Sequence, residues 1–350
     1  MASAMLFPRR RGRVYAIAIL AGVLLAVGAF AASVGSVDIP LGTTLAILIS
    51  KLPFINIEPT WTESFEIIVV DIRLPRVILA GVVGAALAVA GAAYQALFRN
   101  PLAEPYLIGA AQGAALGAVI GFLLPIGVTG LGYGVVPILA FIGALLSIFI
   151  VYNIARVGRL LPVTTLILAG VALSALLMAI VSYLLTIAGD SVHGIIFWLI
   201  GSFSLSKWSE VAVALPVVLF GVGVIMIYAR SLNLIQLGEE QAQQLGINTE
   251  RMKIILLTAA TLITAAAVSF VGIIGFVGII IPHAVRLIWG PDHRFLLPLS
   301  ILVGAIFLIL ADILARTVNA PTEVPIGVIT ALTGVPFFLY LLRRRTRILN

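Results

Sequence analysis

Side chains that commonly perform acid–base or metal chemistry are scarce in this chain of 350 residues. It has no cysteine, and its 3 histidines are His193, His283 and His293. None of these histidines stands at a helical metal-ligand spacing from a carboxylate, which is the usual signature of a catalytic or structural metal site. We therefore predict no catalytic residue and no metal site, and we expect a protein that is not an enzyme.

The lysines exclude the commonest mode of ATP binding. A phosphate-binding loop needs a Gly-Lys-Ser/Thr sequence, because glycine lets the backbone approach the phosphates while lysine contacts them. Each lysine here follows a residue other than glycine: Lys51, Lys207 and Lys253. We predict that the chain has no cofactor of its own. If ATP drives its activity, ATP and Mg²⁺ must be bound by a partner chain.

Ionisable residues within apolar segments suggest a second kind of chemistry. His283, Arg286 and Asp312 lie in such segments, where a charge costs about 2.5–3.5 kcal/mol at the bilayer centre. They could form a proton relay or make structural hydrogen bonds. Their positions close to the segment ends, and the lack of an acidic chain across the midplane, favour structural bonding.

The longest polar stretch, residues 230–253, contains Gly238-Glu239-Glu240 and, six residues after Glu240, Gly246. Acidic residues suit a helix N-terminus, and glycine readily ends a helix in a left-handed conformation. A short helix with a small apolar face is therefore possible, although a solvated loop is equally consistent with the pattern. The residues that would form that face are Leu237, Ala242 and Leu245.

Composition decides which solvent surrounds most of the chain. Hydrophobic residues make up 62% and charged residues 10%, with a mean hydropathy of +1.21, whereas soluble domains carry about 25% charged residues. We predict an all-α integral membrane protein with ten transmembrane helices in a single transmembrane domain, residues 1–350. The first helix spans about Val14–Val34, and the others centre near Val83, Val119, Ser147, Ala175, Val218, Ala260, Ile279, Leu302 and Ile329.

The first apolar segment could also be a secretory signal peptide. Its length of about 20 residues exceeds the roughly 7–15 residues of a signal-peptide core. We therefore expect a retained transmembrane helix.

Cation placement predicts the orientation. With ten helices both termini lie on one side, and that side carries sixteen of the 21 lysines and arginines, including Arg9 and Arg159. Because cytoplasmic loops are enriched in cations, we predict cytoplasmic termini. Membrane orientation accounts for the formal charge of +7, so we predict no nucleic-acid partner. The five cations outside are Lys51, Arg73, Arg76, Lys207 and Arg316.

A series of motifs in one order covers nearly the whole chain. The motifs are Arg73-Leu74-Pro75-Arg76, Gln95, Arg99-Asn100-Pro101-Leu102-Ala103-Glu104-Pro105, Leu107-Ile108-Gly109, Phe197-Trp198-Leu199-Ile200-Gly201-Ser202-Phe203, Leu237-Gly238-Glu239-Glu240, Gly275-Phe276-Val277-Gly278, Pro282-His283-Ala284-Val285-Arg286, Leu310-Ala311-Asp312 and Pro321-Thr322-Glu323-Val324-Pro325-Ile326-Gly327. In these motifs the chain resembles the permeases of type II ABC importers for iron-siderophores, haem and cobalamin.

The resemblance implies a permease subunit in the cell membrane that moves a bulky metal chelate or cobalamin inward. Its partners would be a second copy of the chain, two ATP-binding cassette subunits and an extracytoplasmic binding protein. The sequence does not choose the cargo. An ion-gradient-driven secondary transporter is the alternative, but such a carrier has no obvious use for Gly238-Glu239-Glu240 or for the external arginines.

The resemblance also implies three sets of site residues. Arg73, Arg76 and Arg316 would dock the binding protein, although composition alone makes them interface anchors. Residues 233–247 would form cytoplasmic coupling helices, with ATPase contacts at Leu237, Gly238, Glu239, Glu240, Leu245 and Gly246. The cytoplasmic gate would include Asn100, Leu102 and Thr164, although Asn100-Pro101-Leu102 is by itself also an ordinary turn.

Overall fold

The structure is a computed structural model that describes residues 10–349 apart from 54, 56, 57, 125–133 and 159. Arg9 and Arg159, two of the cations predicted to be cytoplasmic, lie outside the described residues. Over the described part, regular secondary structure is helical, with one isolated bridge between Val157 and Leu160.

The α-helices follow one another along the chain with short connections. A π-helical segment, Ile68–Arg73, joins α3 to α4 into one continuous helix, and 3₁₀ turns cover Pro105–Ile108 and Gly189–Ser191. The helices are α1 (Arg10–Ser33), α2 (Leu41–Ser50), α3 (Glu63–Ile67), α4 (Leu74–Leu97), α5 (Ala110–Leu123), α6 (Val135–Ala155), α7 (Val163–Ile187), α8 (Val192–Ile200), α9 (Trp208–Ile227), α10 (Ala229–Ile235), α11 (Glu239–Gln244), α12 (Thr249–Val271), α13 (Val277–Trp289), α14 (His293–Thr317) and α15 (Ile326–Leu349).

Every apolar segment predicted from the sequence lies in a helix, which confirms the all-α membrane fold. Among the described residues, 7 helices are long and apolar enough to cross a bilayer. The helices α5 and α13 have 14 and 13 residues, fewer than the roughly 20 that a full span requires. The short apolar helices α2 and α8 were not predicted.

Helix α4 forms the centre of the bundle. Its most apolar window is 89% buried, compared with 6% for α1 and 17% for α7. Glycine and alanine make this burial possible, because small residues let helix backbones approach closely where lipid gives no hydrophobic drive for association. A Cβ added at Gly84 would lie 2.2 Å from the carbonyl oxygen of Gly304 on α14, and one at Gly304 would lie 2.5 Å from that of Gly84.

A second close pair is formed by α5 and α6. A Cβ added at Gly113 would lie 2.3 Å from the carbonyl oxygen of Gly143, and one at Gly143 would lie 2.2 Å from that of Gly113. Each pair of helices therefore excludes any larger side chain at its crossing point.

A non-helical segment precedes the short helix α13, and side chains from elsewhere in the chain bond to this segment and to the first turn of α13. Residues 272–276 break the chain between α12 and α13, with Phe276 at φ 69°. The Tyr106 hydroxyl donates to the Ile274 carbonyl at 2.9 Å, and the Gln95 amide donates to the Gly278 carbonyl at 3.1 Å. Non-helical backbone at membrane depth requires such protein partners.

Candidate functional site

Two groups of polar residues occupy opposite ends of the bundle. Arg73 and Arg76 stand at the N-terminal end of α4, and Arg316 is in the last turn of α14. The polar stretch after α9 adjoins the N-terminus of α12, at the end where α4 finishes. Since α4 has 24 residues, a rise of 1.5 Å per residue separates the two ends by about 35 Å.

Arg76 connects three elements at the first of these ends. Its Nε and Nη2 donate to Asp312 Oδ1 at 3.0 and 2.8 Å. Its Nη1 donates to Glu323 Oε1 at 2.7 Å, and its Nη2 also donates to Glu323 Oε2 at 3.0 Å. The guanidinium therefore joins α4, α14 and the segment before α15 through bidentate charge-assisted bonds, which are the stronger class of hydrogen bond.

Arg73 and Arg316 both hold the C-terminal end of α1. Arg73 donates to the carbonyls of Ala32, at 3.1 Å, and of Ser33, at 2.5 Å. Arg316 donates to the carbonyls of Val34 and Ala31 at 3.0 and 3.2 Å. The Arg316 Nε also lies 3.2 Å from Asp312 Oδ2, as an ion pair without hydrogen-bond geometry. The two arginines occupy carbonyl groups that the end of a helix leaves without intrahelical partners.

The structure thus brings together the three predicted docking arginines and makes them buried. Their exposed fractions are 5% for Arg73, 8% for Arg76 and 7% for Arg316. Glu323, with a side chain that is 30% exposed, is the more accessible partner. Burial raises the pKa of Glu323, but the hydrogen bonds and charge of Arg76 outweigh burial and lower it overall. We call these five residues, Arg73, Arg76, Asp312, Arg316 and Glu323, the arginine cluster.

At the opposite end, the predicted short helix is confirmed as α11. Glu239 and Glu240 stand in its first turn, and Gly246 has φ 85° in the left-handed region. The predicted apolar face is wrong as a single surface. Ala242 is fully buried, whereas Leu237 and Leu245 are 65% and 61% exposed. Two leucines on either side of α11 therefore face away from the bundle.

Lys253, on α12, ties α11 to α12 and to the start of α7. Its Nζ lies 2.6 Å from Glu239 Oε2 and 2.8 Å from Glu250 Oε1, and it donates to the Leu161 carbonyl at 3.3 Å. The Leu161 amide donates in turn to Glu250 Oε2 at 2.8 Å. Because Lys253 is only 5% exposed, this network links α11, α12 and the start of α7 in a poorly solvated position.

Asn233 makes a second tie from the same polar stretch. Its amide donates to Asp292 Oδ1 at 2.8 Å, and its Oδ1 accepts from the His293 backbone at 2.9 Å. The pKa of Asp292 is far below its usual range, chiefly because Arg294 donates hydrogen bonds to it. The carboxylate therefore stays charged, and it caps the N-terminus of α14.

The predicted gate residues lie at this end as well. The Asn100 side chain accepts a hydrogen bond from the Leu102 amide at 3.0 Å, which closes the turn after α4. Thr164 is exposed in the first turn of α7. A small cavity brings the end of α4 close to the start of α7 and to Lys253; its lining residues are Leu97, Phe98, Leu161, Val163, Leu166, Lys253 and Leu257.

Sequence reasoning missed several of these contacts. The Lys253–Glu239 and Asn233–Asp292 contacts carried no signal, because the two partners of each contact lie in different segments of the chain. Lys253 and Glu250, in contrast, stand three residues apart on α12. For the intramembrane groups, the structure gives Asp312 and Arg286 hydrogen-bonding roles: Asp312 binds Arg76, and Arg286 donates to Gln95 Oε1 at 3.1 Å. Both contacts are structural hydrogen bonds, the alternative that the sequence favoured over a proton relay.

Comparison with known proteins identifies the family. Residues 16–344 match the sequence profile of the FecCD transport family. The chain belongs to the FecCD transport family. As a FecCD permease it is the membrane-spanning subunit of an ABC importer in the plasma membrane, and a separate subunit hydrolyses ATP.

Relatives of this FecCD permease include two named importers. The cobalamin import system permease protein BtuC of Halobacterium salinarum is 46% identical over 81% of this chain and 75% of its own length. The hemin transport system permease protein HmuU of Yersinia pestis is 42% identical over 79% of this chain and 83% of its own length. A solved metal-chelate type ABC transporter in an inward-facing conformation matches with a TM-score of 0.81 and 29% identity, over 94% of this chain and 98% of that one.

Proposed function

We propose that two copies of this chain form the translocation pathway of a binding-protein-dependent importer for cobalamin or a bulky metal chelate such as haem or a ferric siderophore. The match to the FecCD family over residues 16–344 carries the proposal. The whole chain forms one permease domain without a resident cofactor. ATP and Mg²⁺ are bound by two ATPase subunits at the end of the bundle that carries α11.

We propose that the chain crosses the membrane ten times, with both termini in the cytoplasm. Among the described residues, seven helices have the length and hydropathy of full spans. The segments before α5 and α13 supply the depth that these two short helices lack, and Tyr106 and Gln95 bond to backbone carbonyls at Ile274 and Gly278. The apolar stretch Ile326–Leu339 of α15 supplies the tenth crossing.

A pathway between two copies agrees with the packing of one chain. Helix α4 fills the centre of the bundle, so a cargo as large as cobalamin has no route through the middle of a single subunit. The facing surfaces of a homodimer would supply that route, and the outer and inner ends of each bundle would then serve two different partners.

The arginine cluster serves as the docking site for the external binding protein. Guanidinium groups suit bidentate pairing with carboxylates, and Glu323 already occupies part of Arg76 in this way. A carboxylate of the binding protein would replace or supplement the half-exposed Glu323, while Asp312 keeps Arg76 in position. Arg73 and Arg316 hold the end of α1 against the same surface.

The other end of the bundle serves the ATPase. The exposed Leu237 and Leu245 form the contact surface, and Gly238, Glu239, Glu240 and Gly246 shape α11 between them. The tie from Glu239 through Lys253 to Leu161 supports a route by which ATPase movement reaches α7. Asn100, Leu102 and Thr164 would form the gate that this movement opens, because α4 and α7 approach each other beside that tie.

Uptake measurements test the proposal directly. The chain is reconstituted in liposomes with its genomic-neighbour ATPase and binding protein, and labelled haem, cobalamin and a ferric siderophore are offered with and without ATP. We expect uptake of one cargo only when ATP and the binding protein are present. ATP-independent uptake that collapses with the ion gradient would instead establish a secondary carrier.

Docking is tested by capture of the binding protein at several salt concentrations. Arg76→Lys keeps the charge but loses the bidentate geometry, so we expect weaker capture; Glu323→Gln removes the competing carboxylate, so we expect stronger capture. Lys207→Gln is the matched control, because Lys207 is an exposed external cation outside the arginine cluster. Unchanged capture by a folded Arg76→Lys variant would remove the docking assignment.

A further inference from the structure

A cationic cavity lies where the starts of α1, α10 and α14 meet. It has a volume of about 570 Å³ and is lined by Arg10, Arg13, Arg230, Arg294, Asp292 and Phe295. Four guanidinium groups therefore face one carboxylate. That carboxylate is already engaged, since Arg294 Nη2 lies 2.7 Å from Asp292 Oδ2.

Arg13 has donor capacity that the protein does not use. Its guanidinium stacks over the ring of Phe295, with the central carbon 5.2 Å from the ring centroid. Its Nε is buried and lacks a hydrogen-bond partner among the residues that the structure describes. Such an orphaned donor is costly in a poorly solvated position, whereas an anionic oxygen would satisfy it with a charge-assisted bond.

An apolar groove continues from the cationic cavity. A second cavity, of about 340 Å³, shares Arg230 and Arg294 with the first and is lined otherwise mainly by apolar residues: Met226, Ile227, Ala229, Leu297 and Pro298. Ile227 is 79% exposed and Met226 is 41% exposed. Both residues belong to α9, and the groove follows α9 and α14, two of the helices long enough to span a bilayer.

His293 forms part of the wall between the groove and the bundle. It is fully buried, and its Nδ1 lies 2.8 Å from Asn233 Oδ1. That oxygen can only accept, so Nδ1 carries a proton. The bond fixes the orientation of the ring at the junction of α10 and α14.

We propose that these two cavities form a binding site for one anionic glycerophospholipid. The phosphate lies among Arg10, Arg13 and Arg230, and an acyl chain follows the groove of Met226 and Ile227. Basic pockets between transmembrane helices are suited to anionic head groups. The adjoining groove favours a lipid over free phosphate, because a free anion has no use for an apolar extension.

Native mass spectrometry of the detergent-purified chain, titrated with dioleoyl phosphatidylglycerol, tests the site. The variant Arg13→Gln/Arg230→Gln should weaken lipid binding about 10–30-fold, because each arginine contributes about a three- to sixfold gain in affinity. The matched control is Arg156→Gln/Arg251→Gln, which removes two exposed arginines from the same end of the bundle without touching either cavity. It should bind phosphatidylglycerol as the unmodified chain does.

Three further arms separate the ligand sources. Dioleoyl phosphatidylcholine should bind at least tenfold more weakly than phosphatidylglycerol, and inorganic phosphate at millimolar concentration should not displace the bound lipid. Ile227→Gln changes an exposed side chain, so it should preserve the fold, weaken dioleoyl phosphatidylglycerol and leave the short-chain dihexanoyl lipid unaffected. Equal losses in the two arginine double variants, equal binding of the two head groups, or displacement by phosphate would overturn the proposal.

Discussion

Replacing Asp312 with asparagine removes the carboxylate that two buried guanidinium groups share. Asp312 is 1% exposed, and it lies 2.8 Å from Arg76 and 3.2 Å from Arg316. Without it, Arg316 retains only backbone carbonyls as hydrogen-bond partners, and Arg76 retains the partly exposed Glu323. Breaking a buried ion pair by removing one partner costs about 3–5 kcal/mol, so we expect Asp312→Asn to lower stability by that amount.

The matched control is Glu323→Gln in the same cluster. Its side chain is 30% exposed, and pairs near solvent contribute about 1 kcal/mol or less. Thermal unfolding in detergent should therefore show a decrease on the order of 10 °C for Asp312→Asn, and a decrease several times smaller for Glu323→Gln.

A double variant tests whether the cost arises from the uncompensated charge. In an Asp312→Asn background, Arg316→Met removes the orphaned cation, so the loss should be smaller than the sum of the two single losses by at least about 1 kcal/mol. Equal decreases for Asp312→Asn and Glu323→Gln, or strict additivity in the double variant, would refute the reasoning.

Three other predictions address coupling, packing and pH. Lys253→Met removes the link between Glu239 and Leu161, so the cargo transported per ATP hydrolysed should fall severalfold while the ATPase remains bound. The control is Arg251→Met, which changes an exposed neighbour. An unchanged ratio of cargo to ATP in Lys253→Met would contradict the proposed route from the ATPase to α7. Gly84→Ala places a Cβ 2.2 Å from the Gly304 carbonyl and should cost about 1–3 kcal/mol in thermal unfolding, whereas Gly22→Ala, with no neighbour within 4 Å, should cost nothing. Because the folded-state pKa of Glu323 lies below 4.5, its contribution to stability is complete above the pKa of the unfolded chain and is lost as pH falls through the folded value. The unfolding temperatures of the unmodified chain and of Glu323→Gln should therefore converge below about pH 4.5, and a constant difference down to pH 3 would exclude this ion pair as the source.

Hydropathy and local signals were sufficient for the ten long apolar segments and for α11, because each apolar run and each terminal glycine acts within its own segment. Gly246 shows this for α11, whose helical form follows from residues within about two turns of each other. Hydropathy could not predict the break at Phe276, where a non-glycine residue adopts φ 69°. The side chains that bond beside the break, Tyr106 to Ile274 and Gln95 to Gly278, are remote from it in sequence.

For the candidate sites, too, the sequence indicated some residues but not the remote contacts that determine their burial. The docking role of Arg73, Arg76 and Arg316 was predicted from the family resemblance, since composition alone made them interface anchors. Their burial depends on partners as remote as Asp312, which lies 236 residues from Arg76. The sequence pattern placed Leu237, Ala242 and Leu245 on one apolar face. The structure separates them, because α11 has only 6 residues and the two leucines lie beyond its ends.

The reciprocal glycine contacts have a mechanical consequence for a transport cycle. Helices α4 and α14 interlock at Gly84 and Gly304, and α5 and α6 interlock at Gly113 and Gly143. Sliding one helix of either pair along the other would bring larger side chains into steric conflict at the crossing point. We expect each pair to move as a rigid body. The connector between the two bodies, residues 98–109, has left-handed residues near both ends, with φ 48° at Arg99 and φ 90° at Gly109. Hinge motion absorbed by such positions would displace the turn at Asn100 and Leu102 as a unit.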